Sequence, residues 1–341
     1  MSSVTIPIDE IPLAPRRNKF LRFWVFLCAL VSSVFLYCFG PYGVFSEGKR
    51  SSDITIIIKA GTSSLSIAKQ LSRKGILNSP WPFFSAQYLT YPKKKLKAGE
   101  YLIAKSASPW DIINQMASGR TVIRHFTIPE GLTVAQIVTA LENTDSLEGQ
   151  ITSVPAEGVL LPETYNYSYG DNRQQLLDRM HKAMHTVISE LWPRRKSNDS
   201  IIDSPETALI LASIVEKETG IPKERKRIAG VFLNRLKVGM RLQADPTVIY
   251  AITEGKTTLD RELTRKDLQV ISPFNTYAVI GLPPHPISCP GRAAIEAVLM
   301  PDETDDLYFV ADGTGGHAFS KNLNDHNDHV RTWRQVNRRN M

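Results

Sequence analysis

The chain has 341 residues, a formal net charge of +7 and a pI near 9.2. That length accommodates an anchor and two domains with real cores. The basic balance suits anionic partners: nucleic acid, an anionic membrane face or a carboxylate-bearing glycan. Of the three cysteines, Cys28 and Cys38 sit in an apolar N-terminal run, so Cys289 stands alone and no disulfide framework is available.

The uncharged run Phe23–Phe39, extended by Gly40–Val44, reaches the ~20 residues needed to cross a bilayer. Arg16, Arg17, Lys19 and Arg22 precede it, so the positive-inside bias puts residues 1–22 in the cytoplasm and exports everything after residues 23–44. A cleaved signal peptide is the competing reading. The run exceeds a usual signal core, and no Ala-x-Ala-like site follows. Export turns the basic surface away from nucleic acid, and no Cys/His finger, aromatic RNA-binding signature or basic zipper is present.

Residues 46–52 form a polar linker. Asp53–Lys59 reads as a strand, Ala60–Thr62 as a turn, and Ser64–Lys74 as a helix with Leu65, Ala68 and Leu71 inward, ended by Gly75. Gly99–Ala104 is a second strand, and Ser108-Pro109-Trp110 opens a helix running through Met116 to Gly119. Strand–helix units of this size, over residues 53–118, resemble the lysin-motif fold that grips peptidoglycan. Lys93, Lys94, Lys95 and Lys97 between them read as a solvated loop rather than a glycan or phospholipid contact.

Ile123–Ile128 is a strand, Pro129-Glu130-Gly131 a turn, and Thr133 caps a helix through Leu141. Leu161–Asn166 is extended, and a helix follows over about Asn172–Leu191. Its His181 and His185 have the i, i+4 spacing of a zinc pair, but Lys182-Ala183-Met184 between them lacks the expected glutamate. Lys196–Asp203 is a polar connection.

Next comes a helix with both ends written into it. Ser204 is a good N-cap, Pro205 suits the first helical position, Gly220 can close the end in the left-handed region, and Pro222 stops propagation. Ala208, Leu211, Ala212, Val215 and Thr219 form one stripe, while Leu209, Ile210 and Ile214 widen it almost around the helix. A largely buried helix thus ends in Glu216-Lys217-Glu218. At ~100° per residue the two acids fall on opposite shoulders of the stripe, and geometry barely separates them. One turn back, Glu218 meets Ile214 and Val215, whereas Glu216 meets Ala212 and Ser213. Apolar walls and the negative end of the helix dipole both raise a carboxyl pKa, as a general acid near neutral pH requires. The competing reading is a pair of solvated last-turn glutamates, one of them paired with Lys217 or Arg225.

Lys223–Lys237 forms a further helix with Ile228, Ala229, Phe232 and Leu236 inward, leaving Lys223, Arg227 and Arg235 elsewhere, and Gly239 ends it. In Met240–Tyr250, Asp245-Pro246 has the cap-then-first-turn arrangement of a new helix. Capping therefore accounts for Asp245, but not for the preceding Gln243. Pro273–Tyr277 and Gly281–Pro284 are loops, and Gly291–Leu299 is a short helix. Asp306–Ala311 with His317–Ser320 makes a hairpin. A last helix, about Leu323–Val336, carries His326 and His329 as surface histidines. Strands and helices mix without a regular βαβ repeat, which points to an α+β fold. With no Gly-rich phosphate loop, Gly-x-Ser-x-Gly elbow or Cys-x-x-Cys, nucleotide-dependent, serine-hydrolase and redox chemistries have no support.

The blocks Ala212-Ser-Ile-Val-Glu-Lys-Glu-Thr219, Val231-Phe-Leu-Asn-Arg-Leu236, Gly239–Tyr250, Asn275-Thr-Tyr277, Gly281-Leu-Pro-Pro284, Leu307–Gly313 and Gly315-Gly-His317 together resemble the endolytic murein transglycosylase family (MltG, YceG-like). The resemblance runs in order over about residues 53–335. It implies a catalytic domain over 122–338, an inner-membrane anchor and a periplasmic active site. The implied reaction cleaves the MurNAc-β-1,4-GlcNAc bond inside glycan strands and leaves 1,6-anhydro-MurNAc ends. The family's catalytic glutamate is the second acid of the Glu-Lys-Glu block, Glu218 here. Gln243, Asn275, Tyr277, His317 and Asp245 fall in family-like blocks and are expected sugar or N-acetyl contacts. Asn275 and Gln243 have loop hydrogen bonding as their alternative, and Tyr277 and His317 have packing. Glu163 and Asp245 are the acids to watch for a second carboxylate. No metal or cofactor is required, and association with cell-wall synthases is a family expectation. A non-catalytic, membrane-anchored peptidoglycan-binding scaffold is the main rival reading, and a zinc peptidase built on the histidines is the other.

Overall fold

The computed structural model describes residues 19–40, 43–90, 96–196 and 201–339. Arg16, Arg17 and the lysines 93–95 of the predicted loop lie outside them, as does the middle of the 196–203 connection. The fold is mixed α+β and divides into two compact units, residues 1–122 and 123–341.

The first unit starts with α1 (Lys19–Phe39), an apolar helix with no buried residue, long enough to cross a membrane. The order is then β1 (Ile54–Ile58), α2 (Ser64–Arg73), α3 (Pro80–Thr90), β2 (Gly99–Ile103) and α4 (Pro109–Ser118). β1 and β2 pair antiparallel with Ile56 opposite Tyr101. Alternate residues Ile56, Ile58, Tyr101 and Ile103 face one side and bury there with Ile67, Leu71, Phe83, Ile112, Ile113 and Met116. Ser108 caps α4 in a reciprocal pair with Asp111, and Pro109 occupies the first turn. The sequence reading places no element between Gly75 and Gly99, yet α3 fills that stretch. Its two prolines, Pro80 and Pro82, fall in the first turn, where a missing N–H is tolerated. Lys97 donates to Ser118 O at 3.1 Å, so it binds the α4 end instead of standing free.

The second unit opens with β3 (Arg124–Thr127), α5 (Val134–Glu142), β4 (Thr164–Tyr167) and α6 (Arg173–Leu191). β3 and β4 pair antiparallel, and with α5 and α6 they enclose a core of Ile128, Ile137, Leu141, Tyr165, Leu177 and Met180. Its larger core is helical. It is built by α7 (Pro205–Glu218), α8 (Arg225–Lys237), α9 (Asp245–Thr253) and α10 (Arg292–Leu299), followed by the antiparallel pair β5 (Tyr308–Ala311) and β6 (His317–Ser320) and by α11 (Leu323–Arg339). Ala208–Val215 is buried throughout, so α7 is surrounded, as its all-round apolar sequence demands.

α7 begins as expected, with a Ser204 cap reciprocated by Thr207 and with Pro205 in the first turn. Its end differs. Gly220 is not in the left-handed region; Thr219 turns extended at φ −144° and ψ 130°. The Thr219 side chain then accepts the Ile221 N–H at 3.0 Å, which caps the exit without a glycine.

Candidate active site

The two acids that close α7 have opposite fates. Glu216 is spent. Its Oε1 accepts from Arg225 Nη2 at 3.3 Å, its Oε2 accepts from the Gly291 N–H at 2.8 Å, and its side chain is 4% exposed. Arg225 also lies 3.7 Å from Glu130. Burial raises the Glu216 pKa, and the neighbouring Glu130 carboxyl adds to this against the Gly291 N–H and Arg225. One side chain thus ties the end of α7 to α8, to the start of α10 and to the turn before α5. Lys217 adds a weaker link, donating to Gly131 O at 3.4 Å.

Glu218 is not spent. Among the described residues no hydrogen bond reaches its carboxyl. Burial raises its pKa to about 8, Asp245 pushes it further up, and Arg235 pulls it back. At neutral pH it is therefore a protonated acid with a free O–H. Ionised, it would be steadied by a guanidinium.

Asp245 does not cap α9. The N-cap position belongs to Ala244, and no side chain caps that end. Asp245 Oδ1 instead accepts the Tyr277 hydroxyl at 2.6 Å. Burial, this bond and the charges of Asp245 and Glu218 raise the Tyr277 pKa well above the usual phenol range. The loop that delivers Tyr277 is held by Thr276, whose Oγ1 meets Thr247 Oγ1 at 2.8 Å and accepts the Ala244 N–H at 3.0 Å. Next to Ala244, Gln243 sits at φ +50°, a left-handed backbone on a non-glycine residue, and its N–H donates to Thr276 O at 3.1 Å. Such strain persists only where surrounding bonds enforce it, and it often marks functional sites.

Arg235 lies on the inward side of α8, contrary to the sequence reading, and is 6% exposed. Nε donates to Leu307 O at 2.6 Å and Nη1 to Leu242 O at 2.5 Å. Its position was readable: it stands i+7 from Ile228 and i+3 from Phe232, both of which are fully buried. The guanidinium lies 5.5 Å from the Tyr308 ring, and that ring stacks on His326 at 5.1 Å. His326 is thus part of the packing and not a free surface histidine.

A cavity of about 590 Å³ lies elsewhere, lined by Arg227, Leu233, Asn234 and the 301–306 segment, and Glu218 does not border it.

Residues 56–332 match the profile of the YceG-like family. The chain belongs to the YceG-like family. It is 32% identical over 314 residues to a Bacillus subtilis protein named endolytic murein transglycosylase, a match covering 82% of this chain and 85% of that protein. A Streptococcus pneumoniae protein of the same name is 32% identical over 324 residues, covering 81% of this chain but only 58% of that longer protein. A crystal structure of a YceG-like protein from Listeria monocytogenes superposes with a TM-score of 0.50 at 34% identity, covering 82% of this chain and 99% of that one.

In this YceG-like chain the residues expected at the site separate into two groups. Glu218, Asp245 and Tyr277 gather with Arg235, and Gln243 is exposed beside them. Asn275 is fully buried, donating to Leu268 O at 3.0 Å and Val270 O at 2.8 Å and accepting the Tyr277 N–H at 2.9 Å. These bonds shape the loop that carries Tyr277. His317 pairs with Glu224, Nδ1 to Oε2 at 2.7 Å, and its own N–H donates to Glu224 Oε1 at 3.0 Å. Glu163 is exposed just before β4, and among the described residues no hydrogen bond or ion pair joins it to Glu218. The pairing of a last-turn glutamate with Arg225, open in the sequence, is made by Glu216, whereas Glu224 and Glu130 went unforeseen, because their partners lie too far along the chain for any local spacing to signal them.

Proposed function

We propose that this chain is a membrane-anchored lytic transglycosylase that cuts peptidoglycan strands internally, with Glu218 as its acid and base. The observation that carries the reading is an uncommitted carboxyl, raised to about 8, at the end of a buried helix in a YceG-like chain whose relatives bear the name endolytic murein transglycosylase.

The protonated Glu218 gives its proton to the glycosidic oxygen as the bond to MurNAc C1 breaks, and GlcNAc leaves with a new hydroxyl. The resulting carboxylate, with Arg235 nearby, takes the proton of the MurNAc C6 hydroxyl as that oxygen bonds to C1. Glu218 returns to its starting state and the product is a 1,6-anhydro end. Ordinary glycosidases place a second carboxylate at the bond. Here the substrate's own hydroxyl replaces that nucleophile, and Asp245 acts on Glu218 through charge. Gln243 and Tyr277 are the sugar-facing groups in this reading.

In the same reading α1 crosses the inner membrane with residues 1–22 cytoplasmic, and both units face the periplasm. Residues 53–118 serve as a lysin-motif-like glycan grip, for which the antiparallel β1–β2 pair with α2 and α3 between its strands is the support. Cutting inside strands ends their elongation, so the partners are nascent glycan and the synthases that extend it. Incubating the full chain in detergent with purified peptidoglycan should release anhydro-ended fragments by mass spectrometry, and Glu218→Gln should release none. Reducing ends would mean a hydrolase. Sacculus binding without cleavage by the wild type would mean a scaffold.

A further inference from the structure

α3 contains no charged residue. Its inner face, Phe83 and Ala86, enters the first unit's core, while Trp81, Tyr88 and Leu89 are 62%, 65% and 73% exposed. Phe84, half-buried against that core, lies between Trp81 and Tyr88, with ring centroids 6.4 Å apart at each step. A water-facing helix normally turns charges outward. An aromatic stripe left this exposed at both ends marks a surface meant to be covered.

The position of the stripe says by what. Ser85 lies within it, and its hydroxyl contacts the Tyr37 hydroxyl of α1. Tyr37 is in the last turn of α1, and Val44 and Phe45 bond back onto that turn. Val44 N–H donates to Tyr37 O at 3.1 Å and Phe45 N–H to Cys38 O at 3.0 Å. The Phe45 ring packs between Phe39, at 5.6 Å, and Trp110, at 5.5 Å. Val44 is buried in the core, and its carbonyl accepts the Trp110 N–H at 3.1 Å. The end of α1 is therefore a fixed part of the first unit. At 1.5 Å per residue α1 measures ~32 Å, about the ~30 Å of a bilayer's hydrocarbon. A helix held level with Tyr37 lies where hydrocarbon gives way to headgroups, the layer in which Trp and Tyr collect.

We propose that α3 is a membrane-surface element, with Trp81, Tyr88 and Leu89 seated in the phospholipid headgroup layer around the end of α1. This rests on α1 being the membrane anchor proposed above, and one experiment separates the two. The full chain is placed in phosphatidylethanolamine–phosphatidylglycerol nanodiscs with or without acyl chains brominated near the headgroup. Fluorescence of wild type, Trp81→Phe and Trp24→Phe is then compared. The emission removed by Trp81→Phe should be blue-shifted, and brominated lipid should quench it as it quenches the emission removed by Trp24→Phe. Quenching of Trp24 alone, with Trp81 emitting as in water, overturns the placement of α3 and leaves the anchor intact. Trp81 shielded from aqueous iodide yet untouched by brominated lipid overturns it in favour of a protein cover, such as a second copy of the chain. Quenching of neither overturns both the placement and the anchor.

Discussion

Asp245 accepts the Tyr277 hydroxyl at 2.6 Å, so the acid that presses on Glu218 is itself fixed by a side chain 32 residues further along. The charge of Asp245 raises the Glu218 pKa. Asp245→Asn should lower it and move the alkaline fall in activity to lower pH, with a several-fold loss at pH 8. A pH–rate profile of anhydro-product release measures this. A profile that does not move means Asp245 acts by some route other than its charge.

Arg235 pushes in the opposite direction. Its replacement by methionine should raise the Glu218 pKa and move the alkaline fall to higher pH. Maximal rate should drop, because the ionised form loses its cation. The same variant strips two buried carbonyls, Leu307 O and Leu242 O, of their donor, and it should lose roughly 2–4 kcal/mol in urea unfolding. Arg235→Lys keeps the charge and should retain more of the wild-type profile than Arg235→Met.

Glu218 also couples stability to pH. Its folded pKa of about 8 exceeds the ordinary 4.5, so the folded chain holds this proton more tightly than the unfolded chain does. The group's contribution is complete below pH 4.5 and is lost as pH rises through 8. Glu218→Gln cannot ionise and escapes that loss. The variant should match wild type near pH 5 and exceed it by up to a few kcal/mol near pH 9, at ~1.4 kcal/mol per pKa unit. Thermal melts of both proteins across that range test the sign.

Glu216→Ala removes the clamp rather than the chemistry. It leaves the Gly291 N–H unbonded and Arg225 with Glu130 alone, which should cost about 3–5 kcal/mol for a broken buried pair. Glu216→Gln keeps an acceptor for Gly291 and should cost less. Equal unfolding midpoints for the alanine variant and wild type would show that the clamp carries no strain.

What the sequence disclosed about this site was local. Ser204 and Pro205 announce the start of α7 because a cap and a first-turn proline act within three residues of each other. The apolar circumference of α7 likewise announces its burial. Asp245 misled because Asp-Pro is a good helix start by local rules, and a tyrosine from a distant loop outbid the cap. Arg235 misled for a different reason: a positive charge at an inward position reads as an exception until two backbone carbonyls and a carboxyl are seen waiting for it. The choice between Glu216 and Glu218 depends on Gly291 and Arg225, which are contacts that no helical wheel contains. α3 went unseen because a run of aromatics with two prolines has no polar side to supply a helical period.

The fold-back after α1 also sets a distance. Only Gly40 to Gly43 separates the apolar helix from Val44, a residue already sunk in the core, and a connection that short spans at most about 18 Å when fully drawn out. If α1 is embedded in the bilayer, the first unit has no slack with which to roam. Any ligand it holds would then be gripped close above the lipid, at a depth fixed by the anchor.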